Sequence, residues 1–253
     1  MNGSDYFEHT EYMSGSQFKQ FQRCEAQALA RYQGEYQTEP SKAMMIGSYC
    51  DAAIEGTLDS FIELHPELIS SRGASKGQLK AEYRHADNII SRCQADPLFA
   101  EYLKGDKQTI FTGEIAGVPF KGKLDILHPD RIVDFKTTGS FRKQFSEDLG
   151  SYVSFAEAWR YDIQGAIYQE LVRQNAGKRL PFYLAAVTTE PVPDIAIIEI
   201  PQADLDSALA EVKYWAPKYQ AIKLGLSEPN RCEQCDYCKQ TKTLSEIIDW
   251  RDI

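Results

Sequence analysis

Residues 122–138 read Gly-Lys-Leu-Asp-Ile-Leu-His-Pro-Asp-Arg-Ile-Val-Asp-Phe-Lys-Thr-Thr. Apolar Leu124, Ile126, Ile132, Val133 and Phe135 flank the turn residues Pro129 and Asp130, which predicts two strands folded back on each other. Successive strand side chains point to opposite faces, so Asp134 and Lys136 share a side. With the turn centred between Pro129 and Asp130, paired positions sum to 259 and Asp125 falls opposite Asp134. Directly opposed residues have Cβ atoms about 4.5–5.5 Å apart. Two carboxylates that close repel, and one pKa rises, unless a cation lies between them. A divalent metal bridging hard oxygen ligands satisfies that need. Lys136 adds a positive charge on the same face, placed to stabilise a phosphorane or to orient an attacking water. The residue types thus fit metal-assisted phosphodiester hydrolysis, with Asp125 and Asp134 holding Mg²⁺ (or Mn²⁺) and Lys136 assisting. Charges alternating with apolar residues also describe the solvated face of an ordinary hairpin, so the flanking sequence has to decide.

Upstream, 108–115 and 118–127 alternate like strands about Ala116-Gly117, and 131–138 completes a meander. A two-residue turn at Ala116-Gly117 puts Glu114 beside Pro119, about 20 Å along the strand from Asp125, and so outside the metal site. Helical spacing marks 15–33, 43–57 with a small-residue stripe, 78–104 broken at Asp96-Pro97, 155–174 and 202–224. Residues 182–189 and 195–200 read as two more strands. Helices on both sides of a short meander predict a single α/β (α+β) domain over 1–253, with a mixed central sheet flanked by helices.

The chain has 253 residues, 43% hydrophobic and 26% charged, with a formal charge of −9. That is a globular composition, and an acidic one that excludes coating nucleic acid by bulk charge but not a local basic groove. Arg72, Lys76, Lys80, Arg84, Arg142 and Lys143 are available for such a groove, with Phe141 or Tyr152 to stack on a strand end. No run approaches the ~18 apolar residues of a membrane span. The polar stretch Met1–Glu11 is unlike a secretory leader, so a cytoplasmic protein with reduced thiols is expected. No Walker-type glycine loop is present. The four histidines share no ligand spacing, and His128, at the hairpin turn, is expected to be exposed.

With Gly122-Lys123-Leu124-Asp125 followed by Asp134-Phe135-Lys136-Thr137, the chain resembles the PD-(D/E)XK nuclease superfamily, in its RecB-like branch with exonuclease VIII (RecE) and phage recombination exonucleases. Met45-Ile46-Gly47-Ser48-Tyr49-Cys50-Asp51 resembles that branch's first motif, and Gly117–Gly122 the approach to the first catalytic Asp. Tyr161-Asp162-Ile163-Gln164-Gly165-Ala166-Ile167-Tyr168 resembles its Gln-x-x-x-Tyr helix. The resemblance implies a restriction-endonuclease-like core and a Mg²⁺-dependent exonuclease acting on double-stranded DNA ends in phage or prophage recombination or repair. It further implies a single-strand annealing protein as partner and a ring-like homo-oligomer. Gln164 and Tyr168 would bond a DNA phosphate or position Lys136. Asp51 stands where the branch usually has His; it is a hard ligand and joins Asp125 and Asp134 as an expected metal ligand, with Glu55 one turn further along. An endonuclease or single-strand nuclease of the same fold, or an inactive DNA-binding module, are the alternatives.

The segment 228–240 carries Cys232-x-x-Cys235-x-x-Cys238, a spacing that metals and Fe–S clusters use. A fourth ligand is needed, and some RecB-like nucleases join an N-terminal cysteine to three C-terminal ones around an Fe–S cluster. The resemblance thereby points to Cys24, with a [4Fe–4S] cluster, Zn²⁺ or a reduced empty set all open. Cys50 and Cys93, among apolar neighbours, are expected in the core.

Overall fold

The meander forms as expected and carries the sheet. In the computed structural model, which describes residues 5–146 and 150–251, β1 (Met13–Ser14), β2 (Asp106–Ile115), β3 (Val118–Leu127), β4 (Ile132–Thr138), β7 (Phe182–Thr188) and β8 (Ile195–Ile200) make one six-stranded mixed sheet. Residues 1–4, part of the polar N-terminal stretch, and the last two positions of the expected domain lie outside the described residues. A two-stranded sheet, β5 (Gln144–Ser146) with β6 (Ser151–Val153), stands apart and was not signalled by periodicity.

Strand β3 pairs with β2 along its whole length, with Glu114 opposite Pro119, so Glu114 is off the site as expected. The turn residues Ala116 and Gly117 both have positive φ, +51° and +77°, the conformation a two-residue hairpin turn demands. On its other edge β3 meets β1 at Phe120 and Lys121 and β4 at Ile126 and Leu127. Ile126 faces Val133 and Leu127 faces Ile132, the predicted register, but the ladder stops there. Its end has a local cause. Gln108, flanked by the pairs Lys107–Ile126 and Thr109–Leu124, has φ +52°, and across from it β3 turns over. Leu124 packs in one core layer and Ile126 in the other, with Asp125 between them.

Helices cover both faces. On one side lie α1 (Gly15–Arg23), α8 (Tyr161–Ala176) and α9 (Gln202–Lys223), burying Phe18, Phe21, Ile163, Ile167, Val212 and Tyr219 against Phe120. On the other lie α3 (Lys42–Glu55), α5 (Ala81–Ala95) and α6 (Pro97–Tyr102), burying Tyr49, Cys50, Ile89, Cys93 and Phe99 against Val133, Phe135 and Val187. Cys50 and Cys93 are core residues, as expected. The remaining helices are α2 (Glu25–Tyr32), α4 (Leu58–Leu64), α7 (Phe155–Ala158) and α10 (Asp236–Gln240). Among the described residues no helix is long and apolar enough to cross a membrane.

Two expected helices are split. The 15–33 helix breaks at Cys24, whose extended backbone ends α1 and whose sulfur accepts from Gln27 N at the start of α2. The 155–174 helix breaks at Arg160, in the left-handed region with φ +51°. His128 is a correction: it is buried, its Nε2 3.1 Å from the carbonyl of Tyr102, because the end of α6 folds over the hairpin turn. Phe141 packs on Phe155 at 5.7 Å between ring centres, and is not free to stack.

Candidate active site and thiol cluster

The point where β3 and β4 part is where the charged side chains gather. Freed from the ladder, the Asp125 carboxylate turns toward β4 and accepts a hydrogen bond from Phe135 N at 3.1 Å. Asp134, two residues before Lys136 on the same face, is 1% exposed, against 25% for Asp125 and 22% for Lys136. The Lys136 ammonium lies between the carboxylates, 2.7 Å from Asp134 Oδ2 and 3.5 Å from Asp125 Oδ2, and donates to the carbonyl of Phe135 at 2.9 Å.

Two residues of α8 hold the arrangement from beneath. Gln164 donates through Nε2 to Asp134 Oδ1 at 2.8 Å and to the Tyr168 hydroxyl at 3.3 Å. The Tyr168 hydroxyl donates to the carbonyl of Lys123 at 3.0 Å. The i, i+4 pair therefore orients Asp134 and ties it to β3; Lys136 is fixed by the carboxylates themselves. Gly165, between them in sequence, lets α8 settle on the sheet: a Cβ there would stand 2.5 Å from the Phe182 ring. Gly47 plays the same part for α3, its Cβ position 3.1 Å from Thr137 Oγ1. That close approach brings Asp51, one turn on, toward the carboxylates.

Asp51 is solvent-accessible at the rim, yet the protein crowds it on the site side. That desolvation and then the charge of Asp125 push its carboxyl up to about 7. Burial raises Asp134 to about 7 as well, against the pull of Lys136 and with the repulsion of Asp125. Burial works against the Lys136 ammonium too, but the three carboxylates outweigh it and lift its pKa well above the ordinary range. Three acids around one ammonium leave the cluster two charges negative, so it either keeps protons or takes a further cation. Glu55, hydrogen-bonded with Thr57 Oγ1 at 3.3 Å, is raised by burial, with Lys123 opposing and Asp125 reinforcing the shift. It lies at the same rim.

A divalent cation fits one feature in particular. Asp134 is buried and its Oδ2 is met by the Lys136 ammonium at 2.7 Å, but one ammonium does not offset the carboxylates gathered around it, and a further cation would. Asp125 and Asp134 are the groups able to hold such an ion. Asp51 does not converge with them into a ready three-carboxylate set; among the described residues, only thiols come together that closely.

Sequence reasoning missed Lys19 and Tyr161. Lys19 donates to Gln164 Oε1 at 3.4 Å and to the Trp159 carbonyl at 3.1 Å. Its amine is lowered to about 8, first by burial and then by Lys136. The Lys136 ammonium lies 5.7 Å from the centre of the Tyr161 ring. The i, i+4 spacing of Phe18 and Gln22 around Lys19 reads only as a helix, so no local signal marked it.

The four cysteines do meet. Sγ atoms of Cys24, Cys232, Cys235 and Cys238 lie within 4.8 Å of one another, Cys24 to Cys238 at 3.5 Å and Cys232 to Cys238 at 3.9 Å. Backbone N–H groups of Gln27, Cys235 and Cys238 point at the sulfurs of Cys24, Cys232 and Cys235, but burial and the neighbouring thiols still raise the Cys24 pKa and lift Cys235 to about 12. At Cys232 burial opposes ionisation, but the backbone N–H groups of Gln234 and Cys235 and the thiols of Cys235 and Cys24 outweigh it and lower the pKa to about 6. The junction is locked beside the sulfurs: Glu25 accepts from Asn230 N at 2.8 Å and pairs with Lys218 at 2.6 Å.

A meander whose second and third strands present Asp…Asp-x-Lys, backed by a Gln-x-x-x-Tyr helix, defines a PD-(D/E)XK-type nuclease fold. Residues 14–241 match the family described as "PDDEXK-like domain of unknown function (DUF3799)", and the chain belongs to it. It is also similar to a solved structure, that of a "putative exonuclease" from Eubacterium rectale, at 38% identity and a TM-score of 0.91 over 100% of this chain and 97% of that one. No curated protein matches the chain.

Proposed function

We propose that the protein is a Mg²⁺-dependent deoxyribonuclease, an exonuclease acting on double-stranded DNA ends. The observation that carries this reading is the Lys136 ammonium set between two carboxylates on parted strands, one of them buried, with more negative charge gathered there than the one ammonium offsets. Asp125 and Asp134 would hold the ion, with Asp51 at the rim as the further candidate ligand. The bound ion supplies charge neutralisation at the scissile phosphate and a more acidic water. Lys136 would place its ammonium where negative charge grows on phosphorus-bound oxygen. Gln164 and Tyr168 keep Asp134 in its rotamer, so the ligand oxygen does not swing away between turnovers. The described E. rectale neighbour supports exonuclease action, and the motif resemblance supports a cytoplasmic role in phage or prophage recombination alongside an annealing protein. Linear and covalently closed duplexes of one sequence, incubated with Mg²⁺, test the mode: the linear form is degraded and the circle survives. Cutting of both at one rate identifies an endonuclease.

The thiol cluster, in the Cys-rich 228–240 segment, is the second metal site of the proposal. A tetrahedral ion with sulfur arms of 2.3 Å sets its thiolates about 3.8 Å apart, close to the distances here, whereas an iron–sulfur cubane spreads its thiolates wider. Zn²⁺ is therefore the favoured occupant, stapling α2 to the C-terminal segment. Metal analysis of purified protein tests this: one zinc per chain is expected, and absorption near 400 nm with four irons contradicts it.

A further inference from the structure

The corner between α7 and α8 carries features that the carboxylate site does not use. Trp159 is 49% exposed there. The next residue, Arg160, is a non-glycine in the left-handed region, φ +51°, held by Asp162 at 3.0 Å and Glu211 at 2.6 Å. Backbone strain of this kind persists only where the surroundings fix it, and it gathers at functional corners. The indole is held from two more sides. The Arg23 guanidinium lies 5.1 Å from its ring centre. Its carbonyl accepts from Lys19, which also reaches the Gln164 amide that holds Asp134. Trp159 is thus tied to the candidate active site through a chain of three side chains.

Trp159 also forms a wall common to two clefts. One, of about 640 Å³, is lined by Lys19, Gln22, Arg23 and Arg160 and runs toward Cys232 and Cys235. The other, of about 560 Å³, is lined by Thr138, Arg142, Lys143 and Glu190 and begins two residues beyond Lys136. In a chain of charge −9, each cleft has more cationic than anionic side chains: three against Glu157 in the first, two against Glu190 in the second. Arg160 is committed to its two carboxylates, so Lys19 and Arg23 supply the first cleft's charge. A phosphate backbone running past an exposed aromatic ring is the arrangement that holds single strands.

We propose that Trp159 is a strand-parting post: a base at the end of a DNA duplex stacks on its indole, and the two separated strands leave along the two basic clefts. This rests on the nuclease reading above, and it names the substrate as a forked or fraying duplex end. The closing experiment measures binding, so that the two ideas fail separately. In an Asp134→Asn background, which keeps DNA uncut, fluorescence anisotropy compares a Y-shaped duplex with a blunt duplex of the same sequence. The fork binds tighter; Trp159→Ala weakens the fork about tenfold and leaves the blunt duplex unchanged, while Trp159→Phe restores most of the preference. Arg23→Gln lowers the salt dependence of fork binding by about 0.7 in log–log slope, the loss of one single-strand phosphate contact. Unaltered fork preference in Trp159→Ala, or equal losses on both DNAs, overturns the post. Failure of protein with Asp134 intact to cut any DNA, with fork preference present, overturns the nuclease reading alone.

Discussion

The carboxylate site and the thiol cluster, the two places the proposal assigns to a cation, are built in opposite ways. The thiols close on one another: four soft ligands, two of them buried, converge from sequence positions 214 residues apart in Cys24 and Cys238. The carboxylates stay open. Asp125 and Asp134 are nine residues apart in sequence and share a partly exposed lysine, whose ammonium lies 2.7 Å from Asp134 Oδ2. A closed four-ligand set stabilises a fold, whereas an open set leaves room for water and substrate. The difference assigns stability to one cluster and chemistry to the other, and substitutions can break that division.

The largest expected effect falls on the chemistry. Lys136→Ala lowers the cleavage rate of linear duplex by about 10²–10³-fold while the thermal midpoint stays within a few degrees; a nuclease assay beside a melting curve checks both. The reverse is expected of the thiols. Cys24→Ser costs about 3 kcal/mol, roughly 6–12 °C for a chain of this size, and metal is lost, while the residual folded protein still cuts DNA. Equal loss of activity and stability in both variants would merge the two regions into one.

The pH dependence sharpens the contrast. Asp51 and Asp134 titrate near 7 in the fold, against 3.8 for an ordinary aspartate. Between those values the folded state binds more protons than the unfolded chain, so its stability falls as pH rises from about 4 to about 7. Melting in magnesium-free buffer should show this slope. Asp134→Asn flattens it, and added Mg²⁺ offsets it most at the upper end. A wild-type slope identical to that of Asp134→Asn would remove the buried carboxylate from the account.

Packing predictions are smaller. Gly165→Ala, whose new Cβ meets the Phe182 ring at 2.5 Å, costs about 1–3 kcal/mol and lowers activity by moving Gln164. Tyr168→Phe removes the bond to the Lys123 carbonyl, costs about 1 kcal/mol and leaves cleavage within a few-fold of wild type. Chemical denaturation resolves both.

What the sequence revealed follows the same division. The hairpin was legible because its turn, its alternation and its Asp-x-Lys are local: Ile126–Val133 and Leu127–Ile132 pair in the expected register. The breaks were not legible. Asp125 does not pair across from Asp134: the β3–β4 ladder ends at Ile126–Val133, level with the left-handed residue Gln108 on the neighbouring strand. Helical periodicity runs straight through Cys24 and Arg160, yet both end helices, one through a sulfur cap and the other through ion pairs to Asp162 and Glu211. His128 looked like a turn residue, but α6 covers it. Asp51 was placed beside the site by the motif, and its carboxyl does feel Asp125, Lys136 and Asp134, although the three carboxylates do not close into one compact set.

One titration addresses the central claim most directly. Cleavage of a linear duplex is followed against Mg²⁺ concentration for wild type and Asp134→Asn. Wild type is silent without the ion and reaches a saturating rate as it is added, while the variant stays at background throughout. Cleavage that ignores Mg²⁺, or an Asp134→Asn curve superimposing on wild type, would contradict a metal-dependent active site at the parting of β3 and β4.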